Sequence, residues 1–139
     1  MDYTQLAPAY IRAISPYQPG KPITQLAREM GIPVDKIVKL ASNENPLGMS
    51  PRARAALQAA MEGIERYPDQ FDLTAALAER FGVGMEQIVL GNGSNDVLDL
   101  AARVFLAPGR SSVFSRHAFA VYPLATMSAG GECIVVPAK

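Results

Sequence analysis

Ile88-Val89-Leu90-Gly91-Asn92-Gly93-Ser94-Asn95 is the stretch on which the reading of the fold turns. Its three apolar residues read as a short buried strand, and Gly91-Asn92-Gly93 as a tight turn. Asn95 to Leu106 then reads as a helix stopped by Pro108-Gly109. A strand running through glycines into a helix start presents free backbone N–H groups and the positive end of the helix dipole. Glycines there let a phosphate come close. Ser94 and Asn95 add side-chain donors. The pattern is not the P-loop, because no Gly-Lys-Ser/Thr follows, nor the dinucleotide fingerprint, because the third glycine is absent. Two readings stay open: an anion site, or a plain turn in which Asn92 or Ser94 caps the helix.

Working outward, the alternation continues. Ser112-Val113-Phe114 reads as a second strand, Phe119 to Ser128 as a helix that Pro123 shortens or kinks, and Cys133-Ile134-Val135-Val136 as a third strand. Strand and helix alternating at this spacing predict βαβ units, and hence an α/β fold with a parallel or mixed sheet. A three-stranded sheet of this kind would leave an open edge and half-covered faces, so the chain is expected to be incomplete.

On the amino-terminal side, Ser50 is a good N-cap and Pro51 a good first helical residue. Ala53, Ala56, Leu57, Ala60, Met61 and Ile64 recur behind them at helical spacing. Arg66-Tyr67-Pro68-Asp69 breaks the pattern as a turn. A further helix carries Leu73, Ala76, Leu77 and Phe81 on one face, with Gly82 just past its end. Before Ser50, six prolines between Pro8 and Pro46 leave room only for short helices, such as Ile23 to Met30 closed by Gly31. Residues 1–49 are therefore expected to form an arm laid over another surface, and residues 50–139 the first part of an α/β domain.

Composition narrows the class. Of 139 residues, 49% are hydrophobic and 19% charged, as in a globular protein with one core. Thirteen basic residues balance thirteen acidic ones, which gives no electrostatic pull toward nucleic acid or an anionic membrane. The one cysteine, Cys133, excludes an internal disulfide and favours a reducing compartment. Met1-Asp2-Tyr3-Thr4-Gln5 lacks the basic start and apolar run of a secretory signal, and Ala118 to Gly131 is too short to span a bilayer. A cytoplasmic protein is the expectation.

Other polar positions are individually ambiguous. Asn43-Glu44-Asn45-Pro46-Leu47-Gly48 is rich in turn formers and reads as a loop set by Pro46 and Gly48, or as one facing a substrate. Tyr67 sits in a turn with little local core to fill. Phe119 follows a strand end, where ligands sit in open α/β sheets, although an aromatic there is more often core. His117 is the only histidine and has no neighbouring carboxylate or cysteine, so no metal site is expected.

Taken in order, the motifs resemble one family. They are Ser15-Pro16-Tyr17, Lys39-Leu40-Ala41-Ser42-Asn43-Glu44-Asn45-Pro46-Leu47-Gly48, Arg66-Tyr67-Pro68-Asp69, Gly91-Asn92-Gly93-Ser94-Asn95-Asp96 and His117-Ala118-Phe119-Ala120-Val121-Tyr122. The chain resembles the amino-terminal part of the histidinol-phosphate aminotransferases, which are fold-type I enzymes dependent on pyridoxal 5'-phosphate (PLP). The resemblance implies that Gly93, Ser94 and Asn95 hold the cofactor phosphate, mostly through backbone N–H groups. It implies that Phe119 stacks on the pyridine ring, where many relatives carry tyrosine, and that Tyr67 crosses a homodimer interface to the other subunit's phosphate. Tyr17, Asn43, Asn45 and Gly48 would lie at the substrate entrance.

The resemblance implies transfer of an amino group between L-histidinol phosphate and a 2-oxo acid, usually 2-oxoglutarate, in histidine biosynthesis. The family's Schiff-base lysine, pyridine-nitrogen carboxylate and substrate arginine all fall further along the family's chain. Lys21, Lys36, Lys39 and Lys139 do not match the lysine context, so this stretch alone is expected to hold no catalytic residue and to be inactive. An aromatic aminotransferase, a threonine-phosphate decarboxylase and a non-catalytic binding or dimerisation fragment remain as other readings.

Overall fold

A computed structural model describes residues 3–138; Met1, Asp2 and Lys139 lie outside the described residues. The chain groups into two compact units. One joins the stretch up to Tyr17 with everything from Gln70 onward, and the other is Gln18–Asp69.

The larger unit is built around a βαβ element. Strand β1 (Ser111–Ser115) leads through a short loop to helix α6 (Val121–Ser128), which returns the chain to strand β2 (Glu132–Val136). The strands pair parallel, with Ser111 opposite Glu132 and Ser115 opposite Val136. Parallel pairing requires such a crossover, because a tight hairpin can join only antiparallel strands. Arg116 N donates to Val136 O at 2.8 Å and Glu132 N to Arg110 O at 2.8 Å, continuing the ladder beyond both ends.

Helix α6 is fastened to β1 by a polar clasp. Thr126, 3% exposed, donates its hydroxyl to Tyr122 O at 2.7 Å, and its Oγ1 lies 2.7 Å from Ser112 Oγ. With the Thr126 proton already used, the Ser112 hydroxyl is the donor across the strand–helix gap. Beside the clasp, the Phe114 and Tyr122 rings meet with centroids 6.1 Å apart. Pro123 occupies the third position of α6, where its missing N–H has no intrahelical partner to lose. The helix therefore begins at Val121 rather than Phe119, and Phe119 and Ala120 belong to the loop before it.

Helix α5 (Ser94–Phe105) packs on α6 through the face that carries Ala102, one of the few buried residues. A different face, with Val97, Leu100, Val104 and Phe105, borders a wholly apolar hollow of about 430 Å³. A helix that is apolar on two sides is one built to be covered on both. Short helix α1 (Ala9–Arg12) also lies against α6. Helix α4 (Phe71–Phe81) stops on Gly82 in the left-handed conformation, as its sequence predicts.

Two expectations need correction here. Ile88-Val89-Leu90 is not a buried strand: Ile88 is extended, with φ −111° and ψ 126°, yet no described strand pairs with the segment and Val89 is 66% exposed. Among the described residues the sheet accordingly has two strands, not three. An apolar run signals that a surface should be buried, but a ladder also needs a neighbouring backbone within reach.

In Gln18–Asp69 the elements are local. Helix α2 (Ile23–Met30) ends on left-handed Gly31 and buries Ala27. Helix α3 (Pro51–Ala60) begins as its sequence predicts, with Ser50 Oγ accepting from Ala53 N at 3.1 Å. Its apolar spacing continues to Ile64, but the helix stops at Ala60 and residues 61–65 form turns around Gly63. No residue of α3 is buried.

Apolar faces of α5 and of both strands stand uncovered: Val104 is 72% exposed, Val113 66% and Ile134 46%.

Candidate functional site

The turn before α5 has a specific backbone. Gly93 sits at φ 88° and ψ 175°, a region open essentially to glycine alone. Gly93 N donates to Gly91 O at 2.9 Å, and Asn92 N donates to the Asp96 carboxylate at 3.0 Å. These two bonds use the N–H groups of the turn itself. The next N–H groups, of Ser94 and Asn95, open the helix with no side-chain cap. An ideal Cβ on Gly93 would meet nothing within 4 Å, so the space beside the turn is free for a ligand. Free N–H groups, the Ser94 hydroxyl, the Asn95 amide and the positive end of a 12-residue helix form a donor set that fits a phosphate group. In this geometry Gly93 contributes conformation, since its own N–H is taken by Gly91.

Asn95 shares a shallow hollow of about 330 Å³ with Ile14, Asp99, Val121, Leu124 and Ser128. The hollow joins the start of α5 to the start of α6, two residues beyond Phe119. Phe119 is 46% exposed, and its carbonyl accepts from Tyr122 N at 3.0 Å. Its ring is thus not committed to the core. Tyr17, in the same unit, is 54% exposed.

The remaining predicted site residues belong to Gln18–Asp69. Ser42 (φ 73°) and Asn43 (φ 49°) are consecutive left-handed residues without being glycine. Asn45 closes the loop on itself: Leu47 N donates to its Oδ1 at 3.0 Å, and its Nδ2 donates to Gly48 O at 2.8 Å. The Asn45 amide is therefore engaged within the loop. Lys39 Nζ meets Glu44 Oε1 at 2.7 Å across the same segment. Tyr67 is fully exposed. The structure thus brings Gly93, Ser94, Asn95, Phe119 and Tyr17 into one unit, and Asn43, Asn45, Gly48 and Tyr67 into the other.

Two features went unread in the sequence. One is Asp96, whose carboxylate holds the turn before α5; its place at the third helical position, where acidic side chains reach back to orphan N–H groups, was the available signal. The other is the Lys39–Glu44 pair, for which a spacing of five across a loop gives no signal. Of the lysines, Lys21 is paired with Glu29 at 2.5 Å and Lys39 with Glu44, while Lys139 lies outside the described residues. Among the described residues, no group of three or more His, Cys, Asp or Glu side chains could hold a metal ion, and no helix is long and apolar enough to cross a membrane.

The α/β fold and the glycine turn at a helix start are features of a large class of phosphate-gripping enzymes. Residues 35–139 match the family described as aminotransferase class I and II, and the chain belongs to that family. It is 76% identical over 139 residues to histidinol-phosphate aminotransferase 1 of Dechloromonas aromatica, covering all of this chain and 38% of that protein. It is 65% identical to histidinol-phosphate aminotransferase 2 of Nitrosospira multiformis, again over the whole chain and 36% of the relative. The chain thus spans little more than a third of the curated relatives it matches. Its fold is similar to the crystal structure of histidinol-phosphate aminotransferase from Sinorhizobium meliloti in complex with pyridoxal-5'-phosphate. The TM-score is 0.72 and the identity 24%, over 94% of this chain and 34% of that one.

Proposed function

We propose that the chain is the amino-terminal, phosphate-gripping part of a PLP-dependent aminotransferase that moves an amino group between L-histidinol phosphate and 2-oxoglutarate. The observation that carries this reading is 76% identity over all 139 residues to a protein named histidinol-phosphate aminotransferase 1. The turn before α5 supplies the physical side, since its donor set suits a phosphate. When bound, the cofactor serves as the electron sink for chemistry at the substrate's amino carbon.

In this reading Ser94 and Asn95 bind the phosphate through backbone N–H groups and polar side chains, and Gly93 gives the turn its shape. Phe119 stacks on the pyridine ring, and the loop that bears it follows the carboxyl end of β1, where ligands sit in open α/β sheets. Tyr67 reaches the phosphate of a second subunit in a homodimer. Its full exposure leaves the ring available for such a contact. Tyr17, Asn43, Asn45 and Gly48 border the substrate entrance, with Asn45 shaping the loop. Residues 1–49 act as the arm and dimer-contact segment, and residues 50–139 begin the large cofactor-binding domain. The enzyme works in the cytoplasm, and this stretch alone is inactive, because the lysine that bonds the cofactor is not among its matched motifs.

The test is a transamination assay of the full-length protein with 2-oxoglutarate, offering histidinol phosphate or phenylalanine as amino donor. A kcat/KM at least about tenfold higher for histidinol phosphate is expected, a difference of about 1.4 kcal/mol in transition-state binding. Preference for phenylalanine would assign the protein to the aromatic aminotransferases instead.

A further inference from the structure

The turn proposed to take the cofactor phosphate is itself held by a carboxylate. Asp96 stands at the third position of α5, and its Oδ2 accepts from Asn92 N at 3.0 Å and lies 3.4 Å from Asn92 Nδ2. The side chain thus points back along the chain, under the turn. Gly91 is fitted to it: a Cβ there would meet Asp96 Cβ at 3.1 Å and Val97 Cγ2 at 3.0 Å, closer than such contacts normally come. Absence of a side chain at Gly91 lets Asp96 fold back, and Asp96 in turn fixes Asn92.

The consequence lies in the bonds left over. Asn92 N–H is committed to Asp96 and Gly93 N–H to Gly91 O. The chain then enters the helix through the glycine-only conformation of Gly93, with the Ser94 and Asn95 N–H groups free of side-chain caps. Without the accepted bond, Asn92 can rotate, and the orientation of the following N–H pair is no longer set. The Asp96 charge is also offset by the N–H groups it accepts from.

We propose that Asp96 is a positioning residue for the cofactor phosphate, acting through Asn92 to aim the Ser94 and Asn95 N–H groups without touching the ligand. This rests on the PLP reading above. It assigns Asp96 the work of a hydrogen-bond acceptor, so a neutral acceptor of the same shape suffices, whereas a methyl does not.

The experiment titrates the full-length apoprotein with PLP and, separately, with pyridoxal, which has the same ring and aldehyde but no phosphate, following the absorbance change on binding. Asp96→Ala is expected to weaken PLP about tenfold, the scale of one charge-assisted hydrogen bond, and to leave pyridoxal within about twofold. Asp96→Asn keeps an acceptor oxygen and is expected to bind PLP as tightly as the parent or more so. Overturning results are PLP affinity unchanged in Asp96→Ala, equal losses in Asp96→Ala and Asp96→Asn, or an equal loss of pyridoxal, which marks a general structural role. A parent protein that binds PLP no better than pyridoxal would overturn the cofactor reading and this inference with it.

Discussion

The stretch from Ser111 to Val136 and the stretch from Gln18 to Asp69 are folded by different kinds of interaction. In the first, elements distant in sequence hold one another: β1 and β2 share a ladder, Thr126 joins helix to strand, and Ala125 and Thr126 are buried. In the second, nearly every described bond is local, such as Ser50 capping α3, Asn45 closing its own loop, and Lys21 reaching Glu29 along α2. Only Ala27 is buried there. The difference separates a region that carries some tertiary stability of its own from one whose conformation is specified residue by residue. The turn before α5 lies in the unit that contains the βαβ element, and the loop closed by Asn45 lies in the other.

Matched substitutions break or sustain this contrast. Ala125→Asp places an unpaired carboxylate at a position 7% exposed and is expected to cost about 3 kcal/mol or to unfold the βαβ element. Ala56→Asp, the same change on exposed helix α3, is expected to cost about 0.5 kcal/mol, the scale of helix propensity. Amide hydrogen exchange of β1 and α3 in the two variants checks both. Equal losses at the two positions would mean that Gln18–Asp69 has a core of its own.

A smaller effect separates the regions by pH. The Lys21 hydrogen bond first, and that of Gln25 second, hold the Glu29 carboxyl below its ordinary 4.5. A folded-state value that is depressed contributes stability above the unfolded value and loses it as pH falls through the folded one. Helix α2 should therefore keep its amide protection from pH 7 down to about 5 and lose a little of it below 4.5, while β1 shows no matching step. Because the pair is exposed, the change is slight. Glu29→Gln should abolish it, and a step that persists in that variant would assign the titration to another group.

Most helices were legible because their ends carry local chemistry. Ser50 with Pro51, Gly31 and Gly82 mark boundaries by satisfying or ending backbone bonds within a turn or two. The parallel pairing of β1 and β2 followed from the helix between them. What failed depends on distant partners. Ile88–Leu90 has the apolarity of a buried strand but no ladder, and the spacing that runs on to Ile64 lacks a surface to bury it. Phe119 left the helix because Pro123 belongs in its first turn.

The candidate site was legible to the same degree. The glycine turn at a helix start is a local pattern, and its free N–H groups lie where that pattern puts them. The Asp96 bond beneath it required the path of the chain through Gly91 to become visible. Consecutive left-handed residues at Ser42 and Asn43 were equally hidden, since neither is glycine.

Whether the amino end of α5 grips the cofactor phosphate is tested by Ser94→Asp in the full-length protein. An acidic residue in the first turn favours the helix dipole, so α5 is not weakened by the change. The same charge faces the proposed phosphate, and PLP affinity measured by titration of the apoprotein should fall by about tenfold or more. Unchanged affinity in that variant would contradict the claim.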